Sequence, residues 1–300
     1  MGVLQAGVYP ALVTPLDDSG RLAEATLHRL LRHLGRSGVS GFSILGSTGE
    51  YPSLSASLRH QLMRRVREEV GPSVLVISGV LETSLPNVVR EAHEAADAGM
   101  DAILLPPPFY FPMTPGEVGR FYHAVAESSP IPLVLYNIPA FTKVVIPIPV
   151  IQEMASHPNV TGLKDSSGDV RYLQACAAAT QDEDFLCLTG SDDLLVASLA
   201  VGAMGTICSS ANVIPEVSID IIRRWRQGDT AGALAVQQRS ARLNEVANRC
   251  GGYRAWKACV ELLGATPCRV TPPYEEVSEA ERQRLQKALE AAEAKAIPAP

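Results

Sequence analysis

The chain has 300 residues and a mass of 32.0 kDa, with 46% hydrophobic and 19% charged residues, a balance that supplies a sizeable core and excludes a disordered segment. Its 26 basic and 32 acidic residues give a formal charge of −6 with no block of lysines and arginines, which argues against a nucleic-acid partner. No apolar run approaches the roughly 18 residues of a membrane span, and the first residues lack the basic-then-apolar pattern of a secretory signal. No membrane partner and a cytoplasmic location are therefore expected. Cys176, Cys187, Cys208, Cys250, Cys259 and Cys268 form no C-x-x-C pair, so reduced thiols are expected and the usual zinc spacings are excluded. Lysine is scarce: 21 of the basic residues are arginine, leaving Lys143, Lys164, Lys257, Lys287 and Lys295.

In chain order, eight short apolar runs end in small or turn-forming residues: Val8–Thr14, Gly41–Gly46, Val74–Gly79, Ala102–Pro106, Pro132–Asn137, Val160–Lys164, Phe185–Gly190 and Met204–Ser209. Stretches of helical period separate them, as in Leu27, Leu30, Leu31 and Leu34, then Leu58, Leu62, Val66 and Val70. Thr114-Pro115-Gly116-Glu117 reads as a capping box with proline at the first helical position, and Ser278-Glu279-Ala280-Glu281 repeats the box. Continuous apolar strands alternating with amphipathic helices require a parallel sheet covered by helices. Eight such units predict a (β/α)₈ TIM barrel over residues 1–226, with residues 227–300 as a C-terminal helical extension packed on it. The runner-up is an open doubly wound sheet, but no G-x-G-x-x-G follows the first strand.

In such a barrel chemistry sits where strands end, at the C-terminal face. His28, His33, His60, His93, His123 and His157 fall on predicted helices or their far ends, as exposed positions, which removes His-based nucleophile systems and a His-rich metal site. Lys164 does close a strand. A buried lysine there is either half of a structural ion pair or, as a neutral amine, a nucleophile toward a carbonyl. Gly46-Ser47-Thr48-Gly49-Glu50 closes strand two, where backbone amides and two hydroxyls can hold a carboxylate, or simply make a turn. Tyr136 closes strand five and is either an acid/base or a loop anchor. Gly190-Ser191-Asp192-Asp193 closes strand seven as a helix cap, and with no further ligand at metal spacing it is not read as a metal site.

Taken together, Gly46-Ser47-Thr48-Gly49-Glu50, Tyr136-Asn137-Ile138-Pro139, Gly162-Leu163-Lys164-Asp165 and Ser210-Ala211-Asn212 resemble the dihydrodipicolinate synthase / N-acetylneuraminate lyase family of class I aldolases, over Val8 to about Thr271. The resemblance implies a cytoplasmic homotetramer that needs no metal or organic cofactor and takes pyruvate, 2-oxo acids and aldehydes. It implies Lys164 as the Schiff-base lysine, Tyr136 as the residue that moves protons, and Ser47 as the hydroxyl of a proton relay. Ser47 and Thr48 would cradle the substrate carboxylate, and Tyr110 would complete the relay of a neighbouring subunit. Gly190, Asp192, Asp193 and Ser209 match residues that bind substrate hydroxyls, and Ile207 matches a position whose carbonyl faces the site.

Two departures bear on the substrate. Synthases of the family place an arginine after the Tyr-Asn-x-Pro motif to grip the carboxylate of aspartate semialdehyde, whereas this sequence has Phe141 there, with Lys143 nearby as a candidate replacement charge. Lys164-Asp165-Ser166-Ser167-Gly168-Asp169 is closer to branches that cleave 4-hydroxy-2-oxoglutarate or 2-keto-3-deoxy sugar acids. The expectation is a lyase acting on a 4-hydroxy-2-oxo acid, with pyruvate as product or donor. The alternatives are 4-hydroxy-tetrahydrodipicolinate (dihydrodipicolinate) synthase, a Schiff-base 2-keto-3-deoxy sugar acid dehydratase, and a non-catalytic 2-oxo acid binding protein on the same scaffold.

Overall fold

The computed structural model describes residues 4–298. Its strands are β1 (Val8–Pro10), β2 (Gly41–Ile44), β3 (Leu75–Gly79), β4 (Ala102–Leu105), β5 (Leu133–Asn137), β6 (Val160–Asp165), β7 (Leu186–Thr189) and β8 (Gly205–Cys208). All pair in parallel, in the order β1-β8-β7-β6-β5-β4-β3-β2. The last seam closes between β1 and β2, where Ala11 bridges Ser43 and the Leu12 N–H donates to the Ser43 carbonyl at 2.8 Å. Closure excludes the open doubly wound sheet and makes this a (β/α)₈ barrel.

The covering helices are α1 (Glu24–Arg36), α2 (Ala56–Val70), α3 (Leu85–Asp97), α4 (Pro115–Ser128), α6 (Ile148–Ala155), α7 (Val170–Ala179), α8 (Leu195–Ala200) and α9 (Pro215–Arg226). Apolar residues at helical spacing fix their inner faces: Leu27, Leu30, Leu31 and Leu34 of α1 are all buried. Both capping boxes form, Thr114 with Glu117 and Ser278 with Glu281, each side chain satisfying a backbone N–H of the other's residue. A short helix, α5 (Pro139–Thr142), is inserted between β5 and α6. Helices α10 (Thr230–Arg249), α11 (Tyr253–Leu262) and α12 (Glu279–Ala291) follow the barrel. None of the helices is long and apolar enough to cross a membrane, among the described residues.

Side chains alternate across each strand, so the sheet separates two apolar layers. One lies between sheet and helices; the other fills the barrel with Tyr9, Ile77, Leu104, Val134, Leu188 and Ile207. Leu4 plugs the N-terminal end of that filling, and its N–H donates to the Thr161 hydroxyl at 3.4 Å. β6 passes the plug at Gly162, where a Cβ would stand 2.5 Å from the Leu186 carbonyl oxygen and 2.7 Å from Leu4 Cδ2, so no other residue fits.

β1 is shorter than the apolar run that announces it. Beyond Ala11 the Asn212 side chain replaces a neighbouring strand: its Nδ2 donates to the Ala11 carbonyl at 2.8 Å and its Oδ1 accepts from the Val13 N–H at 3.1 Å. The histidines sit on the helices or beyond them, but only His93 is exposed. The rest are half-buried, because the outer helix faces interlock; His28, His60 and His123 lie against glutamates of neighbouring helices or loops.

Candidate active site

Parallel register puts Tyr136 of β5 directly beside Lys164 of β6, both on the barrel's inner face. The Lys164 amine lies over the Tyr136 ring, 4.4 Å from its centroid, and the residue is 5% exposed. Among the described residues no carboxylate forms an ion pair with that amine. The structural ion pair is made by a different lysine: Lys257 of α11 meets Glu50 at 2.9 Å, both side chains essentially fully buried.

The turn after β2 brings its hydroxyls to the same place. Leu45 adopts a left-handed conformation (φ 57°) and swings Ser47 and Thr48 over the barrel mouth. The Thr14 hydroxyl donates to the Gly49 carbonyl at 2.8 Å and holds the turn. The Ser47 hydroxyl then lies 3.4 Å from the Tyr136 phenol oxygen, and the Thr48 hydroxyl 2.8 Å from that of Ser209. At 3.4 Å the Ser47 and Tyr136 hydroxyls stand at the long limit of a direct hydrogen bond.

β7 and β8 supply the opposite side. Gly190 packs against the Lys164 stem, and its N–H donates to the Asp165 carbonyl at 2.7 Å. One oxygen of Asp192 accepts from the Ser210 N–H at 3.0 Å and from the Ser210 hydroxyl. Burial pushes the Asp192 carboxyl above the usual range, against the lowering effect of those donors. Asp192 therefore spends part of its accepting capacity on the β8 turn, whereas the Asp193 side chain is exposed.

The structure gathers Lys164, Tyr136, Ser47, Thr48, Gly190, Asp192, Asp193, Ile207 and Ser209 around one cleft of about 290 Å³. Phe141 also lines it. Lys143 does not: it is exposed, and its amine is hydrogen-bonded to the Ala140 carbonyl at 2.7 Å. The left-handed backbone of Lys143 (φ 59°) ends α5 and accompanies a side chain folded back on its own helix. Tyr110 is not brought into the cleft of its own chain. It is 87% exposed, its ring edge-on to Phe111 at 5.0 Å.

Three features of the site had weak or no sequence signals. Behind Lys164, buried Asp165 accepts from Asn137 Nδ2 (2.8 Å), the Ser167 N–H (3.1 Å) and the Ser167 hydroxyl (2.9 Å). Asn212 belongs to the Ser210-Ala211-Asn212 motif, yet its part in holding the β1 loop shows only in three dimensions. The outer wall comes from beyond the barrel: Asn244 and Asn248 of α10, with Tyr253 and Trp256 of α11. A helix-breaking pair, Gly251-Gly252, both with positive φ, turns α11 back toward the mouth.

The Dihydrodipicolinate synthetase family model matches residues 4–292. The chain belongs to that family. Curated relatives include the 4-hydroxy-tetrahydrodipicolinate synthase of Methanothrix thermoacetophila, 36% identical over 79% of this chain and 80% of the relative. That of Methanopyrus kandleri is 32% identical over 96% and 97%. Among solved structures, a prophage protein of the dihydrodipicolinic acid synthase family from E. coli K12, in complex with pyruvate, superposes with a TM-score of 0.91 at 28% identity, covering 97% of this chain and 99% of that one. Dihydrodipicolinate synthase from Bacteroides thetaiotaomicron gives 0.91 at 32% identity, with the same coverage. The members of this family are Schiff-base lyases and aldolases.

Proposed function

We propose that Lys164 forms a Schiff base with pyruvate or another 2-oxo acid, and that the enzyme makes or breaks the C3–C4 bond to an aldehyde. The observation that carries this reading is a buried amine with no carboxylate partner among the described residues, set against Tyr136 at the closed end of a cleft ringed by hydroxyls. The amine adds to the ketone carbon, and the resulting carbinolamine loses water to give an iminium. In cleavage the C4 hydroxyl gives up its proton, the C3–C4 electron pair flows into the iminium, and an aldehyde departs from an enamine. Protonation at C3 and hydrolysis release pyruvate and restore the amine. Synthesis runs through the same steps backwards.

Tyr136 and Ser47 are the proton carriers in this scheme, Tyr136 at the carbinolamine and at the C4 oxygen. Ser47 and Thr48 hold the substrate carboxylate, an oriented anion facing the iminium cation in a low-dielectric mouth. The E. coli relative solved with pyruvate supports the donor.

For the aldehyde, the curated relatives are 4-hydroxy-tetrahydrodipicolinate synthases, and that likeness favours the synthase. The cleft's own residues favour a 4-hydroxy-2-oxo acid with an uncharged tail. Phe141 stands where a cation is needed, Lys143 is turned away, and Lys164 is the one cationic side chain among the described residues lining the cleft.

Borohydride trapping with pyruvate, read by intact mass and peptide mapping, tests the mechanism. A reduced adduct on Lys164, absent from Lys164→Ala, is expected; no adduct at saturating pyruvate would sink the mechanism and leave a binding protein. A panel of aldehydes with pyruvate, and of 2-oxo acids alone, then separates the reactions. Condensation with aspartate semialdehyde marks the synthase, cleavage of a 4-hydroxy-2-oxo acid the aldolase, and loss of water alone a dehydratase.

A further inference from the structure

α10 packs on α9 and α12, and one of its side chains also fastens it beside the cleft. Gln237 accepts from the Val196 N–H at 2.6 Å and donates to the Asp193 carbonyl at 2.8 Å, tying the helix to the turn after β7. Asn244 stands two helical turns further on and therefore on the same face. It lines the cleft and is 3% exposed, yet neither its amide oxygen nor its amide nitrogen has a hydrogen-bond partner. Buried amides are almost always paired, so an amide left with both ends open on the wall of a cleft calls for an occupant.

The chemistry of the open groups selects that occupant. A primary amide offers a donor and an acceptor together, and a hydroxyl group answers both. A carboxylate accepts only, and would set its charge against the amide oxygen. The Tyr253 hydroxyl, on the same wall, is a second buried group without a partner. Burial raises its phenol to about 12, so it too stays neutral and both donates and accepts. Asp192 and Asp193 add negative charge nearby, which opposes an acidic tail.

We propose that Asn244 is a specificity-determining residue whose amide binds a hydroxyl at the aldehyde end of an uncharged, hydroxylated substrate. The proposal rests on the Schiff-base reading above and extends it to the far end of the substrate.

The test compares wild type, Asn244→Leu and Asn244→Ser in pyruvate condensation with glyceraldehyde, butanal and succinic semialdehyde, alongside borohydride trapping with pyruvate alone. Wild type is expected to prefer glyceraldehyde to both other aldehydes. Asn244→Leu, which keeps the branched shape and heavy-atom count and removes the polar atoms, should lower the glyceraldehyde-to-butanal ratio of kcat/KM by about tenfold or more, the loss of a buried hydrogen bond. Asn244→Ser should recover part of that ratio, and both variants should still trap pyruvate. An unchanged ratio, or a wild-type preference for succinic semialdehyde, overturns the role of Asn244 while trapping leaves the Schiff base standing. Absence of trapping in wild type instead overturns the Schiff-base reading on which the proposal rests. If Asn244→Leu does not fold, the ratio in Asn244→Ser decides: a fall supports the role and an unchanged value overturns it.

Discussion

Gly190 and Lys164 are packed so closely that no side chain fits between them. A Cβ on Gly190 would lie 2.9 Å from Lys164 Cε and 2.0 Å from the Ser166 hydroxyl. The hydroxyl can rotate away, but the lysine stem is confined by the barrel filling, so the amine proposed to form the Schiff base is what must move. Gly190→Ala is therefore expected to lower kcat/KM by about 100-fold, the scale of an ångström's misplacement of a reacting group. Circular dichroism should show the wild-type fold with a somewhat lower Tm, because the added methyl overpacks against Lys164 and Ser166, so the lost activity is read on folded protein. Equal activity in the variant would mean that the lysine has more freedom than this packing allows.

Tyr136 and Ser47 are proposed to pass protons, and substitution should separate the two. Tyr136→Phe keeps the ring under the Lys164 amine and removes the hydroxyl. Its kcat should fall by about 10²- to 10⁴-fold, the usual contribution of a positioned acid/base. Ser47→Ala removes a relay partner and part of the carboxylate hold, so KM for pyruvate should rise along with a smaller loss in kcat. Steady-state kinetics that found the same kcat in Tyr136→Phe and wild type would remove the phenol from the chemistry.

The buried pair of Glu50 and Lys257 is a structural counterpart to the site. Lys257 meets Glu50 at 2.9 Å and also donates to the Arg269 carbonyl at 2.5 Å. Glu50 follows Ser47-Thr48-Gly49 directly, so the pair fastens the proposed carboxylate cradle to α11. Lys257→Met leaves a buried carboxylate uncompensated and should cost about 3–5 kcal/mol, whereas pairing it with Glu50→Gln should recover much of that loss. Chemical denaturation of the two variants measures the difference. A single variant no less stable than the double would show that the ion pair contributes nothing.

How much of this was legible beforehand follows from what each residue must satisfy locally. The eight apolar runs were readable because strands covered on both faces have few polar positions, and the caps because they use near neighbours. The end of β1 was not, since Ala11 and Val13 are satisfied by Asn212, about two hundred residues away. Lys164 stood out through the scarcity of lysine and its place at a strand end. Lys143 looked equally available for charge, and it failed because its amine turns back onto the Ala140 carbonyl. Asn244 carried no signal at all: on a helix outside the barrel, a polar residue reads as surface until the fold lays that helix across the mouth.

Asp165 gives a prediction with a definite sign in pH. It is 3% exposed, and burial raises its carboxyl above the ordinary 3.8, outweighing the donors on Asn137 and Ser167. A raised folded-state value means that the folded protein holds the proton more tightly than the unfolded chain. Stability from this group is complete below the unfolded value and is lost as pH rises through the folded one. Asp165→Asn keeps an acceptor for Asn137 and carries no charge, so it should be more stable than wild type at neutral pH. Thermal unfolding from pH 7 down to pH 3.5 should show that advantage shrinking, and one that grew toward acid would reverse the assignment.

Tyr110 is the one proposed catalytic residue that the chain does not bring to its own cleft. With an 87% exposed side chain and a positive φ of 90°, it projects from the loop after β4 beside Phe111, itself 76% exposed. The neighbouring Phe109 turns inward and lines an apolar hollow of about 250 Å³ that shares Ser47 and Phe141 with the main cleft. If a second copy supplies Tyr110 to that hollow, activity belongs to the pair of chains. Tyr110→Ala and Lys164→Ala should then each be nearly inactive alone. Co-expressed with different tags and purified as mixed assemblies, they should regain activity, because the Lys164→Ala chain still offers its tyrosine to a partner that keeps its lysine. A Tyr110 acting within its own chain would leave every site in the mixture lacking one of the two residues, and the mixed assemblies would stay as inactive as their parents.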